Sequence, residues 1–140
     1  MGRKCLWTRL ILTGIVLGLL WGCGPKLTRK SVIDTYKVEH RTGPITHGVE
    51  TLVLKANGTY VQTFVPAAKG PIVRNTGNWV FDDTYGPEIK LEDALSVPGP
   101  ESPLKYPIPR MNQTLPVTRI MGRLAICRDP DIGLYYMKVR

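Results

Sequence analysis

Few residues of this chain combine a reactive type with a spacing that chemistry requires. His40 and His47 stand seven positions apart with Glu39 and Glu50 beside them, and two imidazoles with carboxylates could offer a ligand set to zinc or copper. No Cys-x-x-Cys accompanies them, so two solvated histidines beside Gly43-Pro44 are the reading preferred, with no metal and no cofactor expected. Acyl transfer would need a nucleophile, a base and an orienting group, and Ser31, Ser96 and Ser102 lie in no Gly-x-Ser-x-Gly context. Catalytic residues are therefore expected to be none. Asp129 and Asp131 flank Pro130 ahead of Gly133; without the spaced donors of a calcium loop they read as a turn held by aspartate side chains. Cys127, in Leu-Ala-Ile-Cys, reads as a small buried apolar residue.

The cysteine that carries chemistry is nearer the start. Arg3, Lys4 and Arg9 precede an uncharged run over residues 10–24, which is the basic and apolar order of a secretory signal. That run is 15 residues long and holds four glycines, whereas a spanning helix needs about 20 predominantly apolar residues. Leu20-Trp21-Gly22-Cys23 at its end resembles the lipobox of bacterial lipoproteins, with Trp21 standing where a small residue is usual. The resemblance implies a diacylglyceryl group on Cys23, cleavage before it, and a chain held at a membrane outside the cytosol in the cell envelope. Each buried methylene contributes about 0.8 kcal/mol, so two or more acyl chains make such attachment firm.

Processing at this point removes Arg3, Lys4 and Arg9 and no acid, leaving 16 basic and 11 acidic residues, a formal charge of +5. Lys26, Arg29 and Lys30 follow directly and could meet anionic head groups. The other cations are scattered, without a basic stripe interleaved with aromatics, so nucleic acid is not expected as a partner. With Cys5 and Cys23 spent, Cys127 alone cannot form an internal disulfide.

The elements that must carry these residues are strands. No stretch of 11 residues keeps a helical apolar period without Pro or Gly interrupting it, while runs rich in Val, Ile, Thr and Tyr recur between turn residues. Residues 50–65 place two such runs around Asn57-Gly58, a strong hairpin signal. A two-residue turn would set Leu54 opposite Val61. A three-residue turn with Gly58 in the left-handed region would set it opposite Tyr60, and this register is preferred because it gathers Leu52, Leu54 and Tyr60 on one face. Further strands are expected over residues 32–40, over 72–81 with Gly77, Trp79 and Phe81 on one face, over 88–92, and over 117–121, 123–127 and 134–139. Five prolines between residues 96 and 110 predict a loop across one end of the sheet.

Leu-Val-Leu-Lys-Ala-Asn-Gly-Thr-Tyr, then Gly77-Asn-Trp79-Val-Phe81, then Ile89-Lys-Leu91 resemble the hairpin, Gly-x-Trp strand and following strand of small bacterial lipocalin-like lipoprotein domains. The expectation is thus an all-β chain: residues 1–22 a lipoprotein signal peptide, 23–30 a lipidated tether, and 31–140 a single antiparallel up-and-down barrel or curled meander of seven to eight strands. The resemblance implies a small apolar ligand, for which Tyr60, Trp79, Phe81 and Tyr135 are the candidate contacts. The alternative is a structural lipoprotein with a solid core, for which those aromatics are packing and the partner is an envelope protein. The anchor is open to direct test: a Cys23→Ser variant should lose metabolic labelling with palmitate and enter the soluble extracytoplasmic fraction, and retained labelling would refute the assignment.

Overall fold

Asn57-Gly58 forms the turn, and the register is the three-residue one. Leu54 faces Tyr60, with Leu52 opposite Gln62 and Glu50 opposite Phe64. Gly58 sits at φ +85°, where a side chain would be strained, and its amide donates to Lys55 O at 3.1 Å. Asn57 Oδ1 accepts from both the amide and the hydroxyl of Thr59, at 3.1 and 2.8 Å, which explains the Asn-Gly-Thr order.

In the computed structural model, residues 25–40, 47–99 and 101–140 are described; the signal, Cys23 and the Thr42-Gly43-Pro44 turn lie outside them. One helical turn, α1 (Arg29–Val32), precedes eight strands: β1 (Thr35–His40), β2 (Gly48–Leu54), β3 (Thr59–Pro66), β4 (Val73–Asp82), β5 (Glu88–Leu95), β6 (Arg110–Ile120), β7 (Arg123–Asp129) and β8 (Leu134–Lys138). Each pairs antiparallel with its neighbour in sequence, and β8 returns to β1 through Tyr36↔Lys138 to His40↔Leu134, closing the barrel. Closure removes the two exposed edges an open meander would carry. No helix among the described residues is long and apolar enough to cross a membrane.

The expected first strand starts too early. Thr28 caps residues 29–32 as a helical turn, with Thr28 and Ser31 exchanging side-chain bonds, and Val32 is turned fully into the core. Leu27 also packs against the core. β6 likewise begins at Arg110, inside the stretch assigned to the Pro-rich loop, and runs 11 residues.

Two apolar clusters fill the barrel. The larger joins Val32, Tyr36, Leu52, Leu54, Tyr60, Trp79, Ile89 and Tyr136, among others, at the end carrying α1 and the β2–β3, β4–β5 and β6–β7 turns, which we call the tether end. The smaller joins Phe64, Leu95, Val97 and Ile108 at the far end. There the expected loop crosses the barrel, and its Val97, Leu104 and Ile108 plug the opening. A barrel of eight strands has an interior just wide enough for side chains to fill.

Gly77 is where this packing is tightest. It pairs with Tyr60 across β3 and β4, and the Tyr60 ring lies over it. A Cβ at Gly77 would come within 2.6 Å of Glu92 O and 2.7 Å of the Tyr60 ring. The backbone oxygen cannot swing aside. Gly77→Ala should therefore destabilise the barrel by about 1–3 kcal/mol, as overpacking of a filled site does. Urea unfolding followed by Trp79 fluorescence would measure it, and an unchanged midpoint would contradict the packing described.

Candidate functional site

Between the two clusters lies a polar layer that crosses the barrel. Alternation along β2 and β3 turns Glu50 inward with Leu52 and Leu54, and Gln62 inward with Tyr60 and Phe64. Glu50 is 3% exposed and Gln62 fully buried. An ionised carboxylate in such a place must be paired and hydrogen-bonded to be tolerated. Glu50 Oε1 accepts from Gln62 Nε2 at 2.7 Å and from the Tyr136 hydroxyl, while Oε2 meets Arg128 Nε at 3.2 Å. Arg128 spends another nitrogen, Nη2, on Val97 O.

Gln62 is the hub. Its Oε1 accepts from the Leu95 amide at 2.7 Å, and its Nε2 stands 3.0 Å from Leu95 O and 3.2 Å from the Tyr136 oxygen. An amide nitrogen has two protons for these three oxygens, so Tyr136, the most distant, receives the weakest share. Gln113 Nε2 also donates to Leu95 O, at 3.0 Å. The layer thus joins side chains of β2, β3, β6, β7 and β8 to the end of β5. Burial, together with the Glu50 charge, holds the Tyr136 phenol well above its ordinary pKa, so it stays protonated and donates.

A second polar cluster pins the bulge in β5. The register between β5 and β6 shifts between Leu91 and Ala94, and Asp93 sits there at φ +52°. Tyr60 OH donates to Glu92 O at 2.6 Å, Asn75 Nδ2 to Asp93 O at 2.6 Å, and the Asp93 amide to Asn112 Oδ1 at 3.0 Å. Burial, reinforced by the nearby Asp93 charge, pushes the Tyr60 phenol up to about 12.

The wall parts on one side. Val117 donates its amide to Pro87 O at 2.7 Å, on the β5 side. Backbone groups alternate in direction along a strand, so residues 114 and 116 turn theirs toward β7. Pro116 has no N–H to give. Pairing of β6 with β7 covers Val117–Ile120 opposite residues 123–126 and does not extend to Thr114 and Pro116. A cleft of about 440 Å³ beside them is lined by residues 96–99 of the Pro-rich segment, by residues 111–115 and by Asp129, with Arg128 connecting it to the buried carboxylate.

Of the candidate ligand contacts, Tyr60 and Trp79 belong to the larger core cluster and Phe81 packs against it. Trp79 gives its Nε1–H to Lys55 O at 2.9 Å and carries the Arg29 guanidinium 4.9 Å above its ring. Tyr135 is half-buried and stands on the opposite face of β8 from Tyr136, so it does not join the other three. His47 Nε2 lies 3.1 Å from Gly99 O, and no grouping of His, Cys, Asp and Glu suited to a metal occurs among the described residues; the His40 side chain lies outside them. Asp129 Oδ1 accepts from the Asp131 amide at 3.2 Å, the aspartate-held turn expected. Cys127 is buried, and burial raises its thiol pKa, which makes it a poor nucleophile.

Period-2 alternation with the hairpin register already turns Glu50 and Gln62 inward. That signal could have located the polar layer, although Arg128 and Tyr136 are distant in sequence. Comparison with protein-family models, curated proteins and solved structures returns no match. Removing one partner of a buried ion pair leaves the other uncompensated. Arg128→Met should therefore destabilise by about 3–5 kcal/mol, whereas the double variant Arg128→Met, Glu50→Gln should recover much of that loss. Denaturant unfolding of both variants checks this, and strictly additive effects would show that the pair is not coupled.

Proposed function

We propose that this chain is a lipid-anchored, extracytoplasmic interaction module of the cell envelope, tied to a membrane through Cys23 and acting through the outside of its barrel. One observation carries the reading: the space in which a lipocalin-like barrel would hold an apolar ligand is occupied by two side-chain clusters with a hydrogen-bonded polar layer between them. Tyr60 and Trp79 also have their polar atoms committed to Glu92 O and Lys55 O. Of the two readings open to the sequence, the solid core with a protein partner is the better supported.

The unpaired part of β6 supplies a place for that partner. Thr114 and Pro116 turn backbone groups toward the cleft, and β7 does not pair with them. An extended segment of an envelope protein could add there by main-chain hydrogen bonds, beside the exposed Thr114.

The test has two arms. A photo-crosslinking residue at Thr114 should capture one envelope protein in intact cells, while the same residue at Val80, exposed on β4, captures none. Titration of the purified domain with fatty acids should leave Trp79 emission unchanged. Saturable quenching by fatty acid with no crosslink from position 114 would overturn this reading in favour of ligand carriage.

A further inference from the structure

The tether end combines a cation-lined cleft without acids in its lining and two almost fully exposed apolar turn residues, Tyr85 and Met121. Leu27 packs against the core, so only four residue steps separate it from Cys23, a reach of at most about 14 Å. With lipid on Cys23 this end must lie against head groups. The following inference rests on that anchor for its orientation, and on the observations below for its chemistry.

The acids at this end are Asp34, Asp82, Asp83 and Glu88, and each is already in a salt bridge. Asp34 holds Lys138 at 2.6 Å, Asp83 holds Lys26 at 3.3 Å, and Lys90 lies between Asp82 at 2.6 Å and Glu88 at 3.3 Å. Lys26 and Arg29, which the sequence offers to head groups, are thereby partly committed, Arg29 to Trp79 and to Ala56 O. Further cations stand in their place. Arg119, Arg123 and Arg140 line a cleft of about 470 Å³ with Ser31, Gly122 and Lys138, whose ammonium is held by Asp34, and no acid lines it. Arg123 Nη2 donates to Lys138 O at 2.9 Å, which fixes the guanidinium at the cleft wall.

Two apolar side chains project from the same end with nothing covering them. Tyr85, in the β4–β5 turn, is fully exposed, and Met121, in the β6–β7 turn, is 92% exposed. Met121 and Gly122 both have positive φ, +49° and +76°. Asn or Gly would suit the first of these positions without strain. The chain instead keeps a large apolar side chain there, beside Arg119 and Arg123. Cations around protruding apolar and aromatic tips are what a bilayer interface accommodates, the tips among the acyl carbons and the cations on phosphates.

We propose that the tether end docks on anionic phospholipid head groups, with a lipid phosphate in the cleft beside the guanidinium groups of Arg119, Arg123 and Arg140 and with Met121 and Tyr85 inserted beside it. All eight strands and both core clusters lie beyond residue 25, so a chain beginning at Gly24, without lipid, tests the docking surface by itself.

This chain should cosediment with phosphatidylglycerol vesicles, less so as sodium chloride is raised, and should not cosediment with phosphatidylcholine vesicles. Arg119→Glu with Arg140→Glu should weaken binding on the order of tenfold or more, and Met121→Ser with Tyr85→Ser should weaken it further. Lys69→Glu with Lys105→Glu, at the far end, should leave it unchanged. Unaltered Trp79 emission in every variant establishes that the fold is kept. Failure to bind phosphatidylglycerol, equal weakening by the far-end pair, or saturation by inorganic phosphate without vesicle binding would each overturn the proposal. Palmitate labelling at Cys23 reports separately on the anchor, so a failed anchor and a failed docking surface give different results.

Discussion

A carboxylate inside a barrel is the constraint from which much of this structure follows. Glu50 is nearly sealed from water, and the free energy of leaving it unpaired would exceed what a domain of this size can spare. It must therefore find donors, and Gln62, Tyr136 and Arg128 come from three different strands to supply them. Gln62 is in turn held by the backbone of Leu95 through both its amide groups. The requirement propagates outward until nearly every strand is involved. Replacing such a layer by apolar side chains could give equal or greater stability, so its presence calls for a reason other than strength.

Register is that reason. The strand period is two, so a slip by one residue exchanges inner and outer faces. In β2 a slip would bring Thr51 and Val53 inward and turn Glu50 out, and the buried Gln62, Tyr136 and Arg128 would lose their common acceptor. An apolar interior would penalise the same slip only through packing, because Val49 and Val53 are apolar as well. The polar layer makes the alternative pairings expensive at one level of the barrel. Gly77 does so at another, since only a glycine opposite Tyr60 leaves room for the ring and for its bond to Glu92 O.

Local patterns made parts of this legible. The Asn57-Gly58 turn and its register follow from the gathering of Leu52, Leu54 and Tyr60, and many short strands with turn residues between them point to a barrel or curled meander of seven to eight strands, of which the closed eight-strand barrel is the form adopted. Val32 lies in a β-branched neighbourhood that resembles a strand, yet a capping exchange between Thr28 and Ser31 makes a helical turn there instead. β6 is longer than its sequence predicts, because Pro109 and Pro116 look like breakers. Pro109 needs only to lend its carbonyl to Ser96, and Pro116 directs its missing donor at a gap. The polar layer was half legible: alternation points Glu50 and Gln62 inward, but Arg128 and Tyr136 reach them only through closure. No local pattern encodes that step.

The two ends of the barrel answer to different demands, and their sequences show it. At the far end a Pro-rich segment plugs the opening with Val97, Leu104 and Ile108, although Ile72 and Tyr106 remain exposed there. At the tether end α1 already performs that task, with Val32 buried and Arg29 lying over Trp79. The tips of the β4–β5 and β6–β7 turns are thus free of any duty to the core. Free tips of a water-soluble surface would ordinarily hold polar turn residues. Tyr85 and Met121 break that expectation at the end that carries α1, where the local acids are paired in salt bridges. Packing inside the barrel explains neither side chain, and strain in the backbone at Met121 argues against chance. Both side chains therefore remain on the surface at the ends of their turns, beside the cations of the same end of the barrel.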